Sequence, residues 1–233
     1  MNKMAAAAML AMAMMISGCA AGGSAENGAR PGGKAASAAV SASVPAGEHK
    51  ILIAYFSYGE NAGHGDNADV TASASVQHGS RGVTGNTGLI AEDIASAAGG
   101  TLYSIKTVQP YSPDYNEAVA AGKAEQQQHA RPALLGEVPD MAGYDVVFLG
   151  YPNWWGDMPM AMYTFLDKYD LAGKTVIPFC TSGGSELSDT VEAIRKAEPG
   201  AKVLDGFHVS GSAAPGAADQ VERWVRSLGL ARE

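Results

Sequence analysis

One stretch decides the fold of this chain: Val146-Val147-Phe148-Leu149-Gly150-Tyr151-Pro152-Asn153-Trp154-Trp155-Gly156-Asp157. The four apolar residues at its start predict a strand that is buried on both faces, as in a parallel sheet. Gly150 and Pro152 end the run, because neither residue suits the interior of a central strand. Trp154 and Trp155 follow on the loop, where a large ring left in water forgoes roughly 1.5–3 kcal/mol of burial. The pair indicates either a flat apolar ligand or rings that pack within the protein or at an interface.

Further apolar runs alternate with helical patterns on both sides of this stretch. The predicted strands are 51–56, 101–107, 146–151, 175–180 and 201–204, the last extending as far as 209 if the run continues. The predicted helices are 84–98 (closed by Gly99-Gly100), 115–129, 160–169, 186–197 and 217–228. This alternation predicts an α/β fold, a doubly wound five-stranded parallel sheet with helices on both faces. Five strands in this arrangement suggest the strand order 2-1-3-4-5, with right-handed crossovers.

The chain divides into three parts. Residues 1–18 have a basic start and a short apolar run, which predict a signal peptide. The run ends at Cys19, whose sequence context resembles a bacterial lipobox, so Cys19 is the predicted lipidation site; the alternative is an ordinary signal peptide with an incidental cysteine. Residues 19–49 are rich in Ala, Gly and Ser and predict a flexible tether. Residues 50–230 form the predicted folded domain, and Tyr58–Val83 lies inside it without a clear element, as functional or disordered loops do.

Composition excludes several classes of protein. The chain has 16 Lys and Arg against 24 Asp and Glu, a net charge of −8, which argues against nucleic-acid binding. Two cysteines and five histidines show no metal-ligand spacing, so no metal site is predicted. Cys180 is expected to be a buried thiol. The chain contains neither a Gly-x-Ser-x-Gly elbow nor a Gly-x-Gly-x-x-Gly turn after the first strand.

Three loops with unusual residues follow the first, third and fourth strands, where a doubly wound sheet binds ligands. The first combines Ser57 with 84–87, which offer hydroxyls, backbone N–H groups and a helix N-terminus suited to a phosphate. The others are 153–157 and 181–185, whose small polar residues can meet the edge of a heterocycle. Each loop taken alone is also explained as a helix cap or turn.

These residues resemble the flavodoxin family, over about 50–229. The resemblance rests on 84–87 (Thr-Gly-Asn-Thr), 151–159 and 179–185, and implies a flavodoxin-like fold that binds FMN without a covalent bond. It assigns the FMN phosphate to Ser57, Thr84, Gly85, Asn86 and Thr87. It assigns the ring to Pro152, Asn153, Trp154, Trp155 and Gly156, with one of the two tryptophans stacked on it, and the pyrimidine edge to Thr181, Ser182, Gly183, Gly184 and Ser185. The chain departs from the family's short phosphate loop, because Tyr58–Val83 separates Ser57 from Thr84.

The resemblance implies an electron-transfer protein, which the signal sequence would make an extracytoplasmic bacterial lipoprotein held to the membrane by its lipid anchor alone. The redox partner would be a quinone or a membrane electron-transfer protein. One alternative is an enzyme, an FMN-dependent quinone or NAD(P)H oxidoreductase. Another is a ligand-binding or interaction lipoprotein without flavin. Because the cofactor itself carries the redox chemistry, no catalytic side chain is predicted.

Overall fold

The computed structural model describes residues 43–44, 47–63 and 76–232. The predicted signal peptide, Cys19 and most of the tether lie outside the described residues, as do 64–75 of the segment Tyr58–Val83. Within the described residues, no helix is both long enough and apolar enough to cross a membrane.

Each predicted strand and helix has a counterpart in the structure, which adds short elements that the sequence did not predict. The strands are β1 (Ile51–Tyr55), β2 (Gln77–Gly79), β3 (Gly82–Thr84), β4 (Thr101–Ser104), β5 (Lys106–Thr107), β6 (Leu134–Leu135), β7 (Val146–Pro152), β8 (Thr175–Ser182), β9 (Lys202–Val203) and β10 (Phe207–Ser210). The α-helices are α1 (Tyr58–Asn61), α2 (Asn86–Ala98), α3 (Tyr115–Gln128), α4 (Met160–Lys168), α5 (Thr190–Ala197) and α6 (Ala218–Ser227).

A parallel sheet forms the centre of the fold, in the order β4-β1-β7-β8-β10, with the short β9 also paired to β8. When these five strands are numbered by their order along the chain, their order in the sheet is 2-1-3-4-5, so the predicted topology is confirmed. The register places Pro152 beside Thr181 and Ser182 beside Ser210. The carboxyl ends of β7, β8 and β10 therefore meet at one edge.

Side chains on successive positions of each strand point to opposite faces of the sheet, and each face carries its own core. Ile53, Phe148 and Ile177 pack with residues of α2 and α6 on one face. Leu52, Val147 and Val176 pack with residues of α4 and α5 on the other. These residues are at most 1% exposed, so the continuous apolar runs are buried on both faces, as expected of a parallel sheet.

Four predicted boundaries differ from the structure, and two of the differences have a visible local cause. The strand expected at 101–107 leaves the sheet after Ser104, and β5 pairs antiparallel with β6 instead. The buried amide of Asn61 takes the place of a strand neighbour there, since it donates to the Ile105 carbonyl (3.0 Å) and accepts from the Thr107 N–H (2.9 Å).

The helix expected from residue 186 begins only at Thr190. Glu186 and Ser188 have φ angles of +50° and +48°, which an α-helix does not admit. The fifth strand is divided into β9 and β10 by an interruption at 204–206. The first predicted helix is displaced slightly: Thr84 closes β3, Gly85 is the N-cap and α2 begins at Asn86.

Candidate functional site

A cavity of about 530 Å³ opens at the carboxyl edge of the sheet. Eight residues predicted for the site line it: Asn86, Pro152, Asn153, Trp154, Trp155, Thr181, Ser182 and Gly183. The structure thus brings residues of all three predicted loops to one cavity. Seven other predicted residues do not line it: Ser57, Thr84, Gly85, Thr87, Gly156, Gly184 and Ser185.

The N-terminus of α2 forms one end of the cavity through Asn86. The first N–H groups of a helix have no acceptor within it, and the helix dipole gives them a partial positive charge. Thr87 is buried, and its hydroxyl shares a hydrogen bond of 2.8 Å with the Thr181 hydroxyl. This bond ties the start of α2 to the end of β8. A helix N-terminus that borders a cavity in this way suits an anion.

The inserted segment does not carry Ser57 away from Thr84. A Cβ on Gly59 would lie 1.8 Å from the Thr84 carbonyl oxygen, so the chain leaves and returns at the same place. Ser57 is fully buried, and its Oγ has no hydrogen-bond partner within the described residues. The Thr84 hydroxyl donates to the Glu60 carboxylate, which also accepts from the Tyr55 hydroxyl. Burial, followed by the charge of Glu60, raises the pKa of Tyr55, so Tyr55 remains a donor.

The loop after β7 is a tight hairpin. The N–H and carbonyl groups of Trp154 and Asp157 bond to each other at 2.8 and 3.1 Å. The two residues between them, Trp155 and Gly156, have φ angles of +59° and +79°, as a two-residue turn of type I′ requires. Glycine adopts this conformation freely, whereas tryptophan rarely does. The turn therefore holds the Trp155 backbone in a conformation that is unusual for this residue, of the kind found at binding sites.

Contacts from the hairpin to its surroundings fix this geometry. Asn153 accepts from the Gly156 N–H (3.0 Å) and donates to the Glu186 carbonyl (3.0 Å) through its side chain. At the other end, Asp157 accepts from the Tyr163 hydroxyl at 2.7 Å. Both strands of the hairpin are thus anchored to the folded domain.

The two tryptophans have different environments. Trp154 packs edge-on against Phe56 and Tyr111, with ring centroids 5.4 and 5.2 Å away, and α3 comes so close that a Cβ on Gly122 would lie 2.9 Å from the Trp154 ring. Trp155 is 52% exposed. Trp154 is therefore largely a packing residue at the base of the cavity, while Trp155 offers a ring surface to a ligand.

Helix α3 holds Trp155 from one side. The indole Nε1–H donates to the Val119 carbonyl (3.2 Å), and the Lys123 ammonium lies 4.8 Å from the ring centroid. Lys123 does not line the cavity, whereas Trp155 does. The Lys123 ammonium therefore contacts the indole of Trp155 outside the cavity.

The loop after β8 completes the third wall. The Ser182 hydroxyl accepts from the Gly184 N–H (3.2 Å) and is hydrogen-bonded to His208 Nε2 (2.9 Å). Cys180, just before this loop, is buried, and burial raises the pKa of its thiol to about 12. The prediction of a buried thiol is confirmed.

Seven lining residues were missed by sequence reasoning: Tyr58, Tyr115, Ala118, Val119, Ser210, Gly211 and Ser212. The last three could have been found, since a Ser-Gly-Ser loop after a fifth strand resembles the loop after the fourth. The residues of α3 gave no signal, because that helix is polar and its sequence does not show which face meets the hairpin.

Among the described residues that line the cavity, none carries a charged side chain. The described part of the chain also contains no group of three or more His, Cys, Asp or Glu residues placed to hold a metal ion. The lining combines aromatic rings, hydroxyls, amides and glycine backbone. Such a surface suits an uncharged planar heterocycle with polar edges, and the α2 N-terminus suits an attached anion.

The sheet order and the position of the cavity define a flavodoxin-like α/β protein. A model of the flavodoxin family matches residues 76–228, well over half of the chain. A crystal structure of a protein assigned as a flavoprotein from Bacteroides eggerthii is 30% identical, with a TM-score of 0.59, and the similarity covers 78% of this chain and 99% of that chain. Another, from Bacteroides uniformis, is 29% identical with a TM-score of 0.58, covering 76% and 98%.

A flavoprotein from Lactobacillus acidophilus, crystallised in complex with FMN, shares the fold at 20% identity and a TM-score of 0.52, over 74% of this chain and 98% of that one. No curated protein matches the chain. The family match and the Bacteroides structures lead to one conclusion. The chain belongs to the flavodoxin family.

Proposed function

We propose that this protein binds FMN in the cavity at the sheet edge and transfers electrons through it, as an extracytoplasmic lipoprotein. The observation that carries the proposal is one cavity lined by Asn86 at the α2 N-terminus, the exposed ring of Trp155 and the Gly183 loop. Family membership supports FMN as the cofactor.

The residues present fit the cofactor. A volume of about 530 Å³ lies within the usual range of roughly 300–1,000 Å³ for pockets that hold a compact organic ligand. The uncharged lining fits a flavin ring, which is itself uncharged when oxidised.

Each part of the site then has a task. The first N–H groups of α2 would bind the phosphate, Trp155 would cover one face of the ring, and the Ser182–Gly183 backbone would meet its polar edge. FMN, when bound, supplies the electron chemistry. The chain's own residues bind and orient the ring, exclude water from one face and set the surrounding charge. With a formal net charge of −8 for the whole chain, the field favours forms of the flavin that carry less negative charge.

Visible absorption during titration of the full-length chain with FMN tests cofactor binding. A perturbed flavin spectrum that saturates at one equivalent supports the proposal. A protein that leaves the FMN spectrum unchanged overturns it and favours an interaction lipoprotein without flavin. Rapid-mixing reduction by NAD(P)H separates a carrier from an enzyme: turnover in seconds or less favours the NAD(P)H oxidoreductase, and slow reduction favours the carrier.

The lipoprotein part rests on the sequence of residues 1–19. Incorporation of radiolabelled palmitate in a bacterial host tests it. Label in the wild-type chain and none in Cys19→Ala would support lipidation at this residue, and equal labelling of both chains would contradict it.

A further inference from the structure

The side chain of Gln126, on α3, connects Trp155 with Lys123. Gln126 Nε2 donates to the Trp155 carbonyl at 3.3 Å, and Gln126 Oε1 accepts from the Lys123 ammonium at 3.0 Å. Because a carbonyl only accepts and an ammonium only donates, these two partners fix the direction of the Gln126 amide. Lys123 Nζ lies 4.8 Å from the centroid of the Trp155 ring, where the electron-rich face of an indole attracts a cation.

Within the residues that the structure describes, no ion pair compensates the charge of Lys123. Its hydrogen-bond partner Gln126 is uncharged. The described side chains that line the cavity carry no charge either, and Lys123 is not among them, whereas Trp155 is. The Lys123 ammonium is therefore a positive charge on one face of a ring whose other face a ligand in the cavity can cover.

A flavin stacked on that other face of the Trp155 indole would lie close to this charge. Stacked rings are roughly 3.5–4.0 Å apart, so the flavin ring would lie about 8 Å from the Lys123 ammonium. The oxidised ring is uncharged, whereas uptake of two electrons and one proton leaves it with one negative charge. At the effective dielectric constant of a protein surface, and with salt screening, a cation at this distance favours the reduced ring by about threefold to tenfold.

We propose that Lys123 tunes the cofactor through Trp155: its charge favours the reduced, negatively charged flavin and so raises the reduction potential of bound FMN. This inference rests on the proposed function, since it needs FMN stacked on Trp155. The formal net charge of −8 for the whole chain disfavours a negatively charged flavin, and Lys123 offsets part of this effect at the ring.

The test measures two quantities on the full-length chain and its variants, at mildly alkaline pH and low salt. Fluorescence quenching gives the dissociation constant of oxidised FMN. Titration with dithionite, which supplies the electrons and is oxidised to sulfite, gives the midpoint potential of bound FMN against a reference dye. The two values together give the dissociation constant of reduced FMN.

Lys123→Gln removes the charge, and Lys123→Arg keeps a cation that also lies over aromatic rings. In Lys123→Gln, binding of reduced FMN should weaken about threefold to tenfold more than binding of oxidised FMN. A tenfold change in this ratio corresponds to a midpoint potential about 30 mV lower for the two-electron couple. Lys123→Arg should keep the wild-type potential.

Lys168→Gln is the matched control. Lys168 Nζ lies over the Tyr169 ring, 5.5 Å from its centroid, and is paired with Glu137 at 3.2 Å. The substitution removes the same charge from a ring that does not line the cavity, so the midpoint potential should stay at the wild-type value.

Several outcomes would overturn the inference and leave the proposed function in place. One is an unchanged midpoint potential in Lys123→Gln, whatever its affinity for oxidised FMN, since Lys123 would then only hold Trp155 in position. Another is an equal drop in Lys123→Arg or in Lys168→Gln, since neither the charge over Trp155 nor its place would then be the cause. A wild-type chain that binds no FMN would overturn the proposed function and this inference together.

A second measurement needs no flavin. Iodide and caesium ions quench tryptophan fluorescence on contact, and Trp155 is exposed, whereas Trp154 and Trp224 are partly buried. An ammonium on the Trp155 ring attracts iodide and repels caesium. Lys123→Gln should therefore lower quenching by iodide and raise quenching by caesium. Unchanged quenching by both ions would show that the ammonium does not lie on this ring, and would overturn the inference.

Discussion

Replacing Trp155 with alanine removes the one tryptophan ring that the cavity leaves substantially exposed. A tryptophan has roughly 150–250 Å² of surface to bury, and Trp155 is 52% exposed, so about 100 Å² remains for a ligand to cover. At about 25 cal/mol per Å², covering that area contributes at most about 2.5 kcal/mol to binding. We therefore expect Trp155→Ala to raise the dissociation constant of FMN about tenfold, and at most about sixtyfold.

The assay is quenching of FMN fluorescence by the full-length chain, with thermal unfolding measured on the same samples. Trp155→Phe is the matched control, since it keeps a flat ring while losing the bond to the Val119 carbonyl, and it should retain most of the affinity. Trp154→Ala should behave differently. That ring contacts Phe56 and Tyr111 edge-on, so its loss should destabilise the fold by about 3–5 kcal/mol. Wild-type affinity in Trp155→Ala would refute the assignment of Trp155 as the stacking ring.

Three further predictions concern the fold around the site. Gly150→Ala should destabilise the domain by about 1–3 kcal/mol in urea unfolding, because the added Cβ would lie 2.1 Å from the Phe179 ring, whereas Gly183→Ala, with no atom within 4 Å, should be neutral. Burial raises the pKa of Asp93 to about 6, so the folded state holds more protons than the unfolded state between about pH 4 and 6, and stability should fall as pH rises through that window. Asp93→Asn should reduce this fall without removing it, because burial also raises the pKa values of Glu125 and Glu198. Cys180 should resist a thiol reagent at pH 8 in the folded Cys19→Ser chain and react once the chain is unfolded, because its pKa is about 12; rapid reaction of the folded chain would contradict this.

The sheet could be predicted from the sequence because its strands are buried on both faces. Such strands require continuous apolar runs, and those at 51–56, 146–151 and 175–180 are plain in the sequence. The strand order could be predicted because five strands that alternate with helices commonly adopt the doubly wound order 2-1-3-4-5. The errors fall where a single side chain or an unusual φ angle replaces a regular pattern. Asn61 ends β4 through its amide, and nothing in the periodicity of the sequence announces that contact.

Part of the cavity lining could be predicted from the sequence for the same reason. The loops after the strands could be found, since strand ends set their position. The sequence could not distinguish Trp154 from Trp155, because the difference depends on the type I′ turn that turns one ring inward and the other outward. The sequence also gave no reason to connect Gln77 with Asn86, although Gln77 Nε2 donates to Asn86 Oδ1 at 2.9 Å. The segment between β1 and α2 has no hydrophobic period from which such a contact could be predicted.

A co-crystal structure of the full-length chain with FMN tests the central claim most directly. The account predicts the phosphate at the N–H groups of 85–87, the ring against Trp155 and its polar edge at the Ser182–Gly183 backbone. Flavin density elsewhere on the protein, or a phosphate turned away from the start of α2, would contradict it.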